Sequence, residues 1–206
     1  MPEVDGEDVA AFGGSDTGSV AEDYGIIGFG YKRDLNQQLS LAIIGDEPYG
    51  VDVVYPEGDS VALGNTEAIL DSVAVTGLVR YKFDDDFSVY GGLRAQTIEG
   101  TVTLDGAAFG GPPPVGVSGY NVDLERDTGF GYTVGAAYEI PEIALRVALT
   151  YISEIEHEFG TSDNFGSTAD TDVTTPQAVN LDFQTGIAAD TLLFASVRWA
   201  EYSVVQ

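Results

Sequence analysis

Residues 143–151, with the sequence IALRVALTY, alternate between two kinds of side chain. The odd positions carry large apolar groups, and the even positions carry alanine, arginine or threonine. Successive side chains of a β-strand point to opposite faces of the sheet, so this pattern predicts a strand with one apolar face and one small or polar face. Each face must then meet a different environment.

The same alternation returns along the chain and predicts a sheet of about eight strands with almost no helix. It is strong in residues 73–83, 87–96, 177–187 and 193–199, and weaker and richer in glycine nearer the start of the chain. The predicted strands lie near residues 22–33, 38–55, 68–83, 87–104, 120–139, 143–158, 175–188 and 191–204.

The connections between these strands alternate in length. Tight turns are predicted at residues 34–37, 84–86, 140–142 and 189–190, and long acidic or Gly/Pro-rich loops near 56–67, 105–119 and 159–174. An antiparallel up-and-down order explains this alternation, because every second connection then falls at the same end of the sheet. Short turns at one end and long loops at the other are typical of outer-membrane β-barrels.

Composition excludes several classes of protein. The 34 acidic and 8 basic residues give a net charge of -26, which excludes nucleic acid as a binding partner. The chain has no cysteine, so it contains no disulfide and no cysteine metal site. No stretch approaches the roughly 20 apolar residues of a membrane-spanning helix.

A soluble β-sandwich is the main alternative fold, because its strands also alternate between apolar and polar positions. Two features favour an all-β, antiparallel up-and-down transmembrane β-barrel instead. Aromatic residues stand at the ends of the apolar faces, as at Phe83, Phe87, Tyr151 and Trp199. The polar faces carry single arginines among small residues, whereas a solvated sandwich face is normally richer in lysine and glutamate.

A transmembrane barrel requires that the apolar positions form one continuous outward belt. One face of each strand must meet either lipid or a second layer of structure, and the sequence predicts no helices for such a layer. We therefore expect exposed side chains at Val79, Leu93, Leu145, Val147, Leu149, Leu181, Phe183, Val197 and Trp199.

Several of these segments resemble one known family. They are residues 78–83 (LVRYKF) with 87–92 (FSVYGG), 131–139 (GYTVGAAYE), 148–155 (ALTYISEI) and 175–202 (TPQAVNLDFQTGIAADTLLFASVRWAEY). Together they resemble the outer-membrane long-chain fatty acid transporters, a family that includes the toluene and xylene uptake channels. The similarity extends over nearly the whole chain and includes strand order and turn placement.

The resemblance implies a channel in the outer membrane of a Gram-negative bacterium for long-chain fatty acids or other hydrophobic small molecules. It also implies an N-terminal hatch that plugs the lumen, lateral release of the ligand through the wall, and contact with outer-membrane lipids. It implies no enzymatic activity, no cofactor and no metal, and we expect a monomer. Because the first residues lack a secretory signal and no hatch segment is evident, we interpret residues 1–206 as a partial barrel domain without its C-terminal strands.

Four arginines share the inward parity of their strands: Arg80, Arg94, Arg146 and Arg198. They are candidate lumen ligands for a fatty-acid carboxylate. The alternative is that they pair with lumen acids such as Asp182 and stabilise the barrel interior. Counting residues from the tight turns at about 3.4 Å each predicts two tiers, with Arg80 and Arg146 nearer the turns and Arg94 and Arg198 farther away.

Other polar residues suggest weaker hypotheses. Asp123, Glu125 and Asp127 alternate on one strand face, as a divalent-cation site would require, although a solvated acidic rim gives the same pattern. His157, the only histidine, lacks a local nucleophile and orienting partner, so catalysis is not predicted. A different class of function is a non-transporting structural or adhesive surface domain whose acidic loops bind cations.

Overall fold

The computed structural model describes residues 6–21, 25–111 and 114–204, in which eleven strands belong to one sheet. None of the described helices is long and apolar enough to cross a membrane. Short 3-10 turns occupy Ala10–Phe12, Ala107–Phe109, Pro141–Ile143 and Tyr202–Val204. The strands are β1 (Phe29–Asp34), β2 (Leu39–Asp46), β3 (Gly50–Val54), β4 (Glu67–Lys82), β5 (Phe87–Leu104), β6 (Tyr120–Ile140), β7 (Leu145–Ile152), β8 (Ile155–Asp163), β9 (Thr168–Thr175), β10 (Ala178–Ala188) and β11 (Thr191–Ala200).

All strand pairs are antiparallel, and the main path runs β1-β2-β4-β5-β6-β7-β10-β11. Strand β3 continues β2 along β4, β8 continues β7 along β6, and β9 leads into β10 beside β8. When these successive halves are joined, eight long strands lie side by side in sequence order. The predicted all-β up-and-down arrangement is therefore confirmed, with tight turns at one end.

The predicted strand over 38–55 is divided because its middle contains Pro48, which cannot donate to a ladder hydrogen bond. The predicted strand over 143–158 is divided at residues 153–154 and begins only at Leu145. Its start shifts because residues 141–143 form a 3-10 turn and Ala144 has a φ of 50°.

The prediction of a long loop over residues 159–174 is wrong. These residues form most of a hairpin, in which β8 pairs with β9 from Ile155↔Thr175 to Ser162↔Thr168. The tight connection includes Gly166 with a φ of 85°, a conformation that glycine adopts without steric cost. Its many Thr, Asp, Ser and Gly residues resemble a loop in composition, because this part of the sheet has polar side chains on both faces.

The predicted boundaries also change at the two ends of the sheet. The first strand begins at Phe29 rather than near residue 22, because its partner β2 ends at Asp46; residues 22–24 lie outside the described residues. The last strands are β10, which begins at Ala178, and β11, which ends at Ala200. Among the described residues, β1 and β11 form no ladder with each other, so the sheet has two open edges.

One face of the sheet is concave. Side chains on this inner face contact each other across an intervening strand, as Arg80 of β4 does with Glu139 of β6 and Arg94 of β5 does with Asp46 of β2. The sheet curves toward that face, because residues from β1 (Lys32) through β10 (Asp182) line a single cavity there. The arginine-bearing polar face is therefore the inner face, and the apolar face is the outer one.

The predicted outward belt is confirmed in most positions. Val79, Leu93, Leu149, Leu181, Val197 and Trp199 are exposed, whereas Leu145, Val147 and Phe183 are half-buried. The half-burial has a simple cause, since Val147 pairs with Phe183 on one side and with Tyr138 on the other, and these large groups cover one another. Strand β4 shows the alternation most clearly, with exposed Val73 and Val75 beside buried Ala74 and Thr76.

Trp199, the only tryptophan, tests which face meets lipid. Its side chain is exposed on the outer face, where it pairs with Val179. We expect brominated phospholipids to quench its fluorescence in bilayers, because the bromine atoms are confined to the acyl region. Strong quenching by aqueous acrylamide with none by brominated lipid would place the apolar face away from the membrane.

Candidate functional site

A cavity of about 430 Å³ opens on the inner face toward the end with tight turns. This volume lies in the range of small-molecule sites. Its lining combines aliphatic groups, including Ile44, Leu78 and Ile152, with the side chains of three arginines. The arginines that line it are Arg80, Arg94 and Arg146.

Arg80 and Arg146 share one carboxylate. The Nη2 of Arg80 lies 2.5 Å from Oε2 of Glu139, and the Nε of Arg146 lies 3.2 Å from Oε1 of the same residue. Arg80 also donates through Nε to the Oγ of Ser88 at 2.9 Å. Two guanidinium groups on one carboxylate leave this cluster with a net positive charge, and the Arg146 side chain is 44% exposed.

Arg94 is held in a different way. Its guanidinium donates to both carboxylate oxygens of Asp46, at 3.2 and 2.9 Å, and to the Oγ1 of Thr76 at 2.9 Å. Fork-shaped pairs of this kind are among the stronger hydrogen-bonded contacts in proteins. Arg94 is buried, and its charge is balanced by Asp46.

Arg198 is the exception among the four predicted site residues. It is exposed on edge strand β11, forms no ion pair with any described residue, and lies beside the hydroxyl of Tyr49. Its register partner is Asn180, which lines the cavity. Arg198 therefore does not line the cavity itself but lies next to a residue that does.

The structure brings two of the four arginines together, because Arg80 and Arg146 meet at Glu139. The two predicted tiers stay a prediction. Three of the four arginines pair with inner-face acids, as the alternative of a stabilising role predicted. The acid suggested there, Asp182, is not one of them, because in the described structure it accepts a hydrogen bond from Ser196 at 2.7 Å and forms no ion pair.

Sequence reasoning missed the acids that hold these arginines. Glu139 and Asp46 both have inward parity, so parity alone made them candidates. The missing information was the pairing of the strands: Glu139 is the register partner of Arg146 on the adjacent strand, and the contacts Arg80–Glu139 and Arg94–Asp46 each cross one intervening strand.

The far half of the inner face is covered by the β8–β9 hairpin. A Cβ placed on Gly129 would lie 2.4 Å from Cγ2 of Ile155 and 2.6 Å from the carbonyl oxygen of Glu156. Gly129 pairs with Gln96, whose side chain is buried on the inner face, so β8 crosses over that face. Glycine is required here because the backbone of β8 approaches β6 closely.

Polar contacts hold this hairpin on the sheet. The Nδ1 of His157 lies 3.0 Å from Oδ2 of Asp127, and the Oγ1 of Thr175 donates to Oε1 of Gln96 at 3.3 Å. Asp127 is thus occupied by His157 and does not belong to an acidic rim. No group of three His, Asp or Glu residues within the described ranges is arranged to hold a metal ion.

The pairing of β6 with β7 and β8 is interrupted beside the β8–β9 hairpin. Strand β7 leaves β6 at Thr133↔Ile152, and β8 rejoins it only at Val122–Leu124. On the side of β7 and β8, residues 125–132 therefore lack a regular ladder, although residues 127–132 stay paired with β5 on the other side. A polar cleft beside His157 marks the interruption and is lined by Thr128, Glu156 and Glu158.

A second cavity, of about 450 Å³, lies at the end with long connections. Residues 6–21 form one wall of it, and residues 55–63 and Ala108 form the rest. Asp8 joins these segments, because its carboxylate accepts hydrogen bonds from the N–H groups of Val61 and Ala62 and from the hydroxyls of Ser15 and Ser60, at 2.7–3.1 Å. Phe12, Val20 and Leu63 supply apolar lining.

The sequence matches the model of one known protein family. The family described as outer membrane protein transport protein (OMPP1/FadL/TodX) matches residues 3–206. The chain belongs to this family. Its members are outer-membrane transport proteins and not enzymes, which confirms the expected location and the expected lack of catalysis. A search of curated proteins found no significant match.

Solved structures of family members share the fold. A Pseudomonas aeruginosa FadL homologue is 16% identical with a TM-score of 0.67, and the match covers 93% of this chain and 51% of that one. The toluene transporter TbuX of Ralstonia pickettii is 14% identical with a TM-score of 0.59, and the match covers 92% of this chain and 58% of that one. The toluene transporter TodX of Pseudomonas putida is 10% identical with a TM-score of 0.57, and the match covers 92% of this chain and 57% of that one. The chain spans about half the length of these solved relatives.

Replacement of Glu139 tests the shared carboxylate. In Glu139→Gln, two guanidinium groups lose their common counter-ion in a largely buried site, so we expect the free energy of unfolding to fall by about 2 kcal/mol. Guanidinium unfolding in detergent micelles measures the change. Arg126→Gln is the matched control, since its pair with Glu99 is exposed and is expected to contribute less than about 1 kcal/mol. Equal losses in both variants would contradict the assigned role of Glu139.

Asp8 gives a pH-dependent prediction. Hydrogen bonds from Ser15 and Ser60, together with the N–H groups of Ala62 and Val61, lower the pKa of its carboxyl below the usual 3.8. A lowered pKa means that docking of residues 6–21 is favoured above pH 3.8 and is lost as pH falls through the folded-state value.

The measurement for Asp8 is limited proteolysis of the segment 6–21. We expect Asp8→Asn to increase cleavage at neutral pH, and we expect the original chain to become similarly sensitive to pepsin only in strong acid. Unchanged cleavage in Asp8→Asn would show that other contacts hold the segment.

Proposed function

We propose that this chain forms part of an outer-membrane channel that passes hydrophobic small molecules, and that its ligands include long-chain fatty acids. The inner-face cavity carries the proposal, because it combines an aliphatic wall with positive charge. An amphiphilic carboxylic acid needs both features. A neutral hydrocarbon needs only the first.

The charge distribution supports a carboxylate ligand. The chain as a whole carries -26, yet the Arg80–Glu139–Arg146 cluster has one positive charge in excess, and Arg198 has no described acidic partner. Arg94 is different, because Asp46 already satisfies it with two hydrogen bonds. Arg146 and Arg198 are therefore the head-group ligands, and Arg80 and Arg94 stabilise the wall around them.

The order of the cavities supports a path toward the tight-turn end. The cavity joined by Asp8 offers apolar side chains at the long-loop end, where a hydrophobic ligand arrives from outside. The β8–β9 hairpin separates it from the cavity that contains the arginines. The interrupted β6 wall lies at the level of this hairpin, and it is a candidate for the lateral exit that the family resemblance implies.

Matched ligands and matched variants test the head-group role. The measurement is displacement of a fluorescent fatty acid from the chain in detergent by oleic acid and by 1-heptadecene, which lacks the carboxyl group. In Arg198→Gln and Arg146→Gln we expect oleic acid to bind about tenfold more weakly, a loss of about 1.4 kcal/mol. Binding of the hydrocarbon should stay the same.

Two control variants sharpen this test. Arg126→Gln removes an exposed arginine outside the cavity and should change neither ligand. Arg94→Gln should lower stability more than selectivity, because Arg94 already holds Asp46. Equal losses for acid and hydrocarbon in Arg198→Gln, or no loss for either, would overturn the head-group role.

The expected monomeric state of the protein stays a prediction.

A further inference from the structure

The outer face carries a groove of about 490 Å³ across β1, β2 and β4. Its aliphatic and aromatic walls come from Tyr31, Leu41, Ile43 and Val79. Except for one arginine, it is lined by apolar side chains and backbone. This groove, called the outer groove below, is on the opposite side of the sheet from the arginine cavity.

Gly77 creates the outer groove. In the register of the sheet, Gly77 lies between Ile43 of β2 and Leu93 of β5, and along its own strand it lies between the outward residues Val75 and Val79. All four neighbours are exposed apolar residues. A Cβ at Gly77 would have no atom within 4 Å, so the missing side chain leaves open space and not a tight contact.

Arg33 closes the groove at the tight-turn end. It pairs with Leu41 in the row that continues to Val79, so it shares their outward face. It stands one residue before the end of β1, which places it close to the interface on the tight-turn side. Arg33 is exposed and has no ion pair with any described residue.

We propose that the outer groove binds one phospholipid, with an acyl chain over Gly77 and the phosphate on the guanidinium of Arg33. The aliphatic walls of the outer groove suit part of an acyl chain. A guanidinium binds phosphate through two parallel hydrogen bonds. The phosphate also gives Arg33 a counter-ion at the interface, which a long arginine side chain can reach while its stem lies on apolar surface.

This lipid site is independent of the proposed transport function. It lies on the lipid-facing side of the wall, and no residue that we assign to head-group binding takes part in it. Its role is to fix the position of edge strand β1 against β2 and β4 in the membrane. A lipid bound there covers the gap that Gly77 leaves.

Native mass spectrometry of the 206-residue chain in detergent tests the proposal. The probes are a phosphatidylglycerol and a diacylglycerol with identical acyl chains, which differ only in the phosphate-containing head group. We expect the chain to retain one phosphatidylglycerol in clear preference to diacylglycerol. Arg33→Gln should remove this preference, and Gly77→Leu, which fills the groove, should lower retention of phosphatidylglycerol at least about fivefold.

Two matched variants serve as controls. Arg126→Gln removes another exposed arginine from the outer face, and Ala95→Leu adds the same bulk at an outward position outside the groove. Neither should change lipid retention, and all variants should show the heat-dependent gel mobility of folded barrel proteins. Retention of both lipids alike, equal losses in the control variants, or replacement of the phospholipid by oleic acid at the same position would overturn the proposal.

Discussion

Backbone hydrogen bonding between neighbouring strands is the constraint on which this structure depends. A wall in contact with lipid has no water to satisfy its N–H and C=O groups, so every strand in the membrane must pair on both sides. The long strands between the two edges meet this requirement along much of their length, whereas edge strands β1 and β11 and the segments β3 and β9 each have one partner among the described residues. Once the strands are paired, side chains have only two directions, outward to lipid or inward to the cavity.

The features that we connect with function lie where strand pairing is interrupted or where a glycine replaces the large side chain that the pattern would place there. At Gly129 the absence of a side chain lets β8 cross the inner face, and the ladder beside β6 is interrupted. At Gly77 the absence of a side chain opens a groove toward lipid. On the inner face, Glu139 lies within reach of two arginines, Arg146 of the adjacent strand and Arg80 two strands away.

The sequence predicted the parts of the fold that repeat every two residues. Strand identity, antiparallel order and the inward parity of the four arginines follow from alternation alone. The β8–β9 hairpin was missed because the apolar alternation of β8 ends at Phe159, and the Thr, Ser, Asp and Gly residues that follow give no apolar period. The partners of the arginines were missed because they depend on register and on contacts between strands, which sequence spacing does not contain: Glu139 is the register partner of Arg146, and Arg80 and Arg94 reach Glu139 and Asp46 across a strand.

Site-directed spin labelling along β4 tests the central claim most directly, namely that one wall separates lipid from a polar inner face. The chain has no cysteine, so single cysteines at each position from Val73 to Tyr81 can be labelled in the chain inserted into phospholipid bilayers. Collision with oxygen should be highest at the odd positions, which are exposed, and lowest at the even positions, which face inward. A profile without a two-residue period, or with the highest oxygen accessibility at the even positions, would contradict the account.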